Sequence, residues 1–248
     1  MIQLNNISVT FNAGTPLKNT LFTNLNLTIF PKDFVTIIGG NGSGKSSLLN
    51  LIAGELTPTN GTILLDNQDI TQQKTHKRAA VISRVFQDPL LGSYSELTLE
   101  ENLSIAFSRG KKRTLKLALS RTQQTFFQER LSSMELGLEN RLFDKMGLLS
   151  GGQRQAISLM MATLKPSSIL LLDEHTAALD PKMAASILTL TQKLVAKNQL
   201  TALMVTHRMS QALSVGNRTL LMHQGNIIQD LKGDERKNLN TQNLAALF

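Results

Sequence analysis

At 248 residues with no cysteine, the chain is long enough to bury a large core unaided, and it excludes both a disulfide framework and any thiolate metal site. A formal net charge of +8 and a sequence pI near 9.9 favour polyanionic partners such as nucleotide, nucleic acid or an anionic membrane surface, without choosing among them. The opening Met1-Ile2-Gln3-Leu4-Asn5-Asn6 lacks the basic and apolar segments of a secretory signal, and apolar runs such as Ile169-Leu170-Leu171-Leu172 fall far short of the roughly 20 residues that span a bilayer, so a cytosolic chain with a peripheral membrane role is expected.

In chain order, the runs 3–11 and 21–30 have β character. Phe34-Val35-Thr36-Ile37-Ile38 reads as a buried strand and Gly39-Gly40-Asn41-Gly42-Ser43-Gly44 as a tight loop. Residues 45–53 then read as a helix closed by Gly54. Pro58-Thr59-Asn60-Gly61 is a turn signal, and 62–66 with Asn67-Gln68 predicts an antiparallel hairpin, which with the two N-terminal runs forms a sheet beside the parallel core. From about 89 to 165 the pattern turns helical, with 97–107, 115–131 and 154–164 as its elements. Two buried-strand patterns follow at 168–173 and 201–206, joined through a helix over 183–196, which is the spacing of a βαβ unit with adjacent parallel strands. A last hairpin turns through Gln224-Gly225, and the tail from Leu231 is polar. The pattern predicts one α/β domain over 1–248: a mostly parallel sheet, an antiparallel β-subdomain and an inserted helical subdomain at about 89–165. The basic stretch Arg109-Gly110-Lys111-Lys112-Arg113 with Lys116 has no interleaved aromatics to stack bases, so it reads as a solvated loop, with a lipid- or partner-facing patch as the alternative.

Gly39-Gly40-Asn41-Gly42-Ser43-Gly44-Lys45-Ser46 fits the phosphate-loop pattern and lies between a strand and a helix, where that motif works. The glycines let backbone N–H groups surround phosphates at a helix N-terminus. Lys45 then reaches the β- and γ-phosphates as a point charge, and the Ser46 hydroxyl ligates Mg²⁺. Ile169-Leu170-Leu171-Leu172-Asp173-Glu174 is an apolar strand delivering two carboxylates to a sheet edge: Asp173 for the Mg²⁺ shell, Glu174 to orient and deprotonate water. Alone, such a strand end more often marks the surface, and its weight comes from the phosphate loop upstream. Leu149-Ser150-Gly151-Gly152-Gln153 places a hydroxyl and close-approaching N–H groups at a helix start. That suits a second phosphate site, although a bare Ser-Gly-Gly is more often only a cap.

Taken together, the phosphate loop, the Asp173-Glu174 strand and the 149–153 pentapeptide resemble the nucleotide-binding domains of ABC transporters over nearly the whole chain, which implies a P-loop NTPase core and ATP hydrolysis. The resemblance makes 149–153 the signature segment that binds the γ-phosphate of ATP held by a second cassette, identical or different, with two nucleotides sandwiched in the dimer. It makes Gln87 in Val85-Phe86-Gln87-Asp88-Pro89 a contact for metal and water that passes nucleotide state to membrane subunits. By the same resemblance, Ala178-Leu179-Asp180 is the D-loop, His207 hydrogen-bonds the γ-phosphate, and Phe11 is the adenine-stacking aromatic, with Phe22 and Phe30 as rivals for that role. Four positions depart from the family pattern. Ser47 stands for Thr after the metal-binding serine, Gly40 for Pro, His175 for Pro after the glutamate, and Ala178 for a serine whose hydroxyl can serve the dimer interface.

The resemblance implies ATP and Mg²⁺ as cofactors and separate permease subunits as partners. It places the chain at the cytoplasmic face of the membrane and, for an importer, adds an extracytoplasmic substrate-binding protein. A soluble ABC ATPase acting on ribosomes or DNA is the rival reading. One phosphate loop and no long coiled-coil insertion argue against it, and no nucleic-acid partner is expected. A GTPase or small kinase accounts for the phosphate loop but not for 149–153. Segments 85–91 and 173–181 look like those of bacterial cassettes for uptake of tryptophan, tyrosine or related amino acids, which favours a small-solute importer over an exporter.

Overall fold

The computed structural model describes residues 1–111, 120–239 and 241–245. Strands β1 (Ile2–Phe11) and β2 (Asn19–Ile29) open the chain, β3 (Phe34–Gly39) leads into helix α1 (Lys45–Ala53), and the chain returns as β4 (Asn60–Leu65) and β5 (Gln68–Asp69). Strands β2-β1-β4-β5 form an antiparallel sheet. On β1 the buried residues are Ile2, Leu4, Ile7 and Val9, so the alternation slips by one residue after Leu4. Asn6 in the left-handed region (φ 51°) and the register shift between Leu4 and Ile7 absorb that residue as a bulge, which keeps Ile7 and Val9 facing the core.

After the one-turn helix α2 (Thr75–Arg78) and strand β6 (Ile82–Val85) come helices α3 (Leu99–Phe107), α4 (Arg121–Ser132) and α5 (Gly151–Thr163). Strand β7 (Ile169–Asp173), helix α6 (Pro181–Lys197), strand β8 (Thr201–Val205) and helix α7 (Met209–Ser214) follow. The chain closes with β9 (Arg218–His223), β10 (Asn226–Lys232), α8 (Gly233–Lys237) and α9 (Thr241–Ala245). The second sheet runs β10-β9-β3-β8-β7-β6, parallel except for β10. Strands β7 and β8 are adjacent and parallel, as the βαβ spacing predicts. Their residues are buried on both faces, which explains the unbroken apolar runs.

Two differences from the sequence reading matter for the site. The 219–222 run is more than half of a hairpin, because β9 also pairs in parallel with β3 and so belongs to the core sheet. The edge strand β6, which the sequence reading did not assign, pairs with β7 and leads directly into Gln87. The helix expected over 97–107 begins at Leu99, where Thr98 and Glu101 close a capping box. The helix expected over 154–164 begins at Gly151 behind the cap residue Ser150. Lys112, Arg113, Lys116 and the start of the helix expected over 115–131 lie outside the described residues.

Helix α1 is wedged between the sheets by Leu48, Leu49, Leu51 and Ile52, which share a cluster with Ile2, Leu4, Val35, Ile37, Leu203 and Val205. Gly54 (φ 80°) returns its N–H to Asn50 and Leu51 carbonyls. The buried Arg78 donates to the Leu51 and Ile52 carbonyls at 2.8 and 3.0 Å, so a cation sits on the negative end of the helix. Helix α5 faces two ways. Its Ile157 and Met160 join Leu99, Leu103, Phe127 and Leu131 in the helical part, whereas Leu159 and Ala162 pack with Val85, Leu170 and Leu172 under the parallel sheet. The signature segment is thereby carried on a helix anchored in both bodies.

Candidate functional site

The C-terminal ends of β3, β7 and β8 converge on one edge of the parallel sheet, the position at which open α/β sheets take ligands. The loop leaving β3 needs its glycines for distinct reasons. A Cβ at Gly39 would lie 2.3 Å from the Met222 carbonyl oxygen, and at Gly44 (φ 98°) 2.8 Å from the Phe22 ring. Gly42 has open space but a φ of 75°, whereas Gly40 is unhindered, so a side chain is tolerated there. Lys45, buried at the first turn of α1, donates to the Gly39 and Gly40 carbonyls at 2.9 and 2.8 Å and to Ser43 Oγ at 3.5 Å. Burial pushes its ammonium below the ordinary lysine range, and the charges of Glu174 and Asp173 oppose that push. Asn41 and Ser46 are exposed and Ser47 half-buried on the same turn.

Ser46 Oγ donates to Asp173 Oδ1 at 3.2 Å, joining the first turn of α1 to the end of β7. The other oxygen, Oδ2, accepts from Arg84 Nη2 at 2.7 Å. Glu174 follows in the left-handed region (φ 43°), and its N–H is held by the Val205 carbonyl at 3.1 Å. That turn aims the carboxylate out of the sheet, where Oε2 lies 3.3 Å from Nδ1 of the exposed His207. Lys45, Ser46, Asp173, Glu174 and His207 are thus brought together from β3/α1, β7 and β8.

His175 turns inward and is buried, with Nε2 3.0 Å from Thr191 Oγ1 on α6. Thr191 Oγ1 itself donates to the Ile187 carbonyl, so it accepts from His175 and fixes the Nε2–H tautomer. Burial lowers the His175 pKa to about 4. The departure from proline thus replaces ring rigidity with an anchor to α6. Further along, Asp180 caps α6 by accepting from Met183 N, and Ala178 is exposed.

Ser150 caps α5: its Oγ accepts from Gln153 N at 3.3 Å, while Gln153 Oε1 accepts from Ser150 N at 3.1 Å. Gly152 is closely packed, because a Cβ would lie 2.3 Å from Met183 Cγ and that side chain would have to shift; Gly151 has only an ordinary contact with Leu179. Gln87 is exposed in the loop after β6, and Gln155 of α5 holds the neighbouring Phe86 carbonyl at 3.2 Å, tying that loop to the signature helix. Among the three candidate aromatics, Phe22 is core and Phe30 lines a surface cleft with Asp33, Gly216 and Lys232. Phe11 is 41% exposed and lies two residues beyond Val9, whose cross-strand partner Phe22 packs on Gly44. Sequence reasoning missed Arg84. Its only signal is a charge inside the short run Ile82-Ser83-Arg84-Val85.

The ABC transporter family model matches residues 22–177. A tyrosine transport ATP-binding protein of Clostridioides difficile (strain R20291) is 43% identical over 248 residues, covering all of this chain and 98% of the relative. A thiamine import ATP-binding protein of Yersinia pestis is 39% identical over 204 residues, 82% of this chain and 81% of that protein. The dimeric structure of a post-hydrolysis state of an ATP-binding cassette, bound to ADP and Pi, superposes with a TM-score of 0.79 at 30% identity, covering 94% of this chain and 98% of the other. With a phosphate loop, two carboxylates and a signature turn on this fold, the chain belongs to the ABC transporter family, as an ATP-binding subunit and ATPase.

Proposed function

We propose that the chain is the motor of a bacterial importer for tyrosine or a related amino acid, working as a head-to-tail pair of cassettes on permease subunits at the cytoplasmic face of the membrane, with an extracytoplasmic binding protein delivering the solute. The end-to-end similarity to a tyrosine transport ATP-binding protein carries the substrate class. No helix among the described residues is long and apolar enough to cross a membrane, and in this reading the permease subunits carry the solute across.

In this reading Lys45 exchanges the Gly39 and Gly40 carbonyls for the β- and γ-phosphates, which receive the loop N–H groups of 39–47, while Phe11 stacks on adenine. Ser46 and Asp173 are a hydroxyl and a carboxylate already 3.2 Å apart, a hard-oxygen pair that fits Mg²⁺, with Gln87 as a further ligand. Mg²⁺ held by these residues would supply positive charge to offset that developing on the phosphates. Glu174 takes the proton of the attacking water, and His207 donates to the γ-phosphate. Ser150, Gly151, Gly152 and Gln153 of one chain close over the γ-phosphate bound by the other.

Uptake in living cells tests this reading. Cells carrying Lys45→Ala should lose accumulation of radiolabelled tyrosine or tryptophan while thiamine uptake is unchanged. Normal uptake of all aromatic amino acids in that strain would refute the substrate assignment.

A further inference from the structure

Arg84 sits on the edge strand β6, with its side chain only 11% exposed, beside an Asp173 side chain 13% exposed. Four neighbours fix its guanidinium. Nη2 donates to Asp173 Oδ2 at 2.7 Å, Nη1 donates to Asn50 Oδ1 at 2.7 Å and Glu55 Oε2 at 2.9 Å, and Cζ lies 4.7 Å from the centroid of the Phe86 ring. The two oxygens of Asp173 are therefore divided. Oδ1 faces the Ser46 hydroxyl, the side on which nucleotide and metal arrive, and Oδ2 faces away, toward β6. A carboxylate at a strand end turns freely about its terminal torsion unless one oxygen is held. A charge-assisted hydrogen bond in a nearly dry pocket holds it.

We propose that Arg84 is the positioning residue of the metal-facing carboxylate: by gripping Oδ2 it turns Oδ1 of Asp173 toward Ser46 and so presets the oxygen pair that receives the metal of bound Mg²⁺–ATP. The inference rests on reading Asp173 as the metal carboxylate. Arg84 touches neither nucleotide nor metal and acts only through Asp173. Groups that orient a metal-facing residue contribute about 10–100-fold to metal affinity or activity, whereas an ion pair that merely ties β6 to β7 contributes to stability alone. Metal dependence therefore separates the two roles.

The measurement is the affinity of the purified chain for a fluorescent, non-hydrolysable ATP analogue, with saturating Mg²⁺ and again in EDTA, and the ratio of the two. Arg84→Met should cut that ratio about 10-fold while the affinity in EDTA changes less than about twofold, and the Mg²⁺ concentration for half-maximal ATPase should rise by a similar factor. Arg84→Lys keeps the charge and one donor to Oδ2, and should recover at least about half of the loss. If the Met variant does not fold, Arg84→Gln, which retains a polar head without the charge, carries the same expectation. Asp173→Asn separates the two layers of the argument. A parent-like ratio in Asp173→Asn would refute the metal-carboxylate reading, whereas a lowered ratio there with a parent-like ratio in folded Arg84→Met or Arg84→Gln would overturn the role of Arg84 alone.

Discussion

The phosphate loop and the signature turn both set glycines and a serine at a helix N-terminus, yet their surroundings differ. Around the loop, Lys45 is buried against its own carbonyls, Ser46 meets Asp173, and Glu174 meets His207, so cation, hydroxyl and carboxylates lie within one chain. The turn at 150–153 offers an exposed Ser150, already engaged as a cap, and backbone N–H groups; the side chains of Ser150 and Gln153 bond within the turn and to Arg141 of the helical part. In the proposed reading one half binds and acts on a nucleotide, and the other completes a site that begins on a second chain. This asymmetry is the physical reason for proposing a pair of chains.

The comparison breaks most sharply at Lys45. Lys45→Ala removes the cation of the self-sufficient half and should lower ATP turnover about 10²–10³-fold, with the melting temperature shifted by only a few degrees. Turnover within about threefold of the parent would dissolve the distinction between the halves.

His175 ties the carboxylate half to α6, and its burial carries a pH signature. Its folded pKa of about 4 lies below the ordinary histidine value of 6.5, so between those values the unfolded chain binds the extra proton. Stability is full above 6.5 and falls as the pH drops toward 4. Denaturant unfolding at about pH 7.5 and about pH 5 should differ by about 2 kcal/mol from this residue, and His175→Gln should remove that share of the difference. An unchanged pH dependence in His175→Gln would show that the anchor does not discriminate against the proton.

The smallest effect dissects the signature turn itself. Gly152→Ala presses on Met183, a flexible side chain that can yield, and should cost about 1 kcal/mol, lowering the melting temperature by about 3 °C. Gly151→Ala meets only an ordinary contact with Leu179 and should leave stability unchanged. Equal destabilisation by both would mean that the turn is shaped by the chain's own packing throughout, with no glycine left for an outside phosphate.

What the sequence made legible follows from locality. The strand–loop–helix at 34–53 and the strand ending in Asp173 announce themselves by periodicity and by glycines at fixed offsets, and Ser150 with Gln153 is a capping box readable from spacing. The four-residue β6 lacked a period long enough to stand out. The grip of Arg84 on Asp173 joins positions far apart in the chain and depends on β6 pairing with β7 in one register, which no local pattern encodes. His175 was visible as a departure from the family pattern, but its partner Thr191 sits on the next helix and becomes its acceptor only through packing. Exposure sets only the core residue Phe22 apart from Phe11 and Phe30, a distinction that β character alone could not make.

The claim that the turn at 150–153 completes a site begun on another chain is tested most directly by the mass of the Glu174→Gln variant in solution with ATP. Glutamine keeps the shape of Glu174 and loses its basicity, so hydrolysis should fall about 10²–10⁴-fold while ATP still binds. With release blocked, the variant should elute with ATP at twice the mass of the chain. Adding Ser150→Arg, which sets a bulky side chain against the partner's phosphates, should return it to the monomer position. A Glu174→Gln chain that stays monomeric with ATP and hydrolyses it at the parent rate would contradict both the base and the paired site.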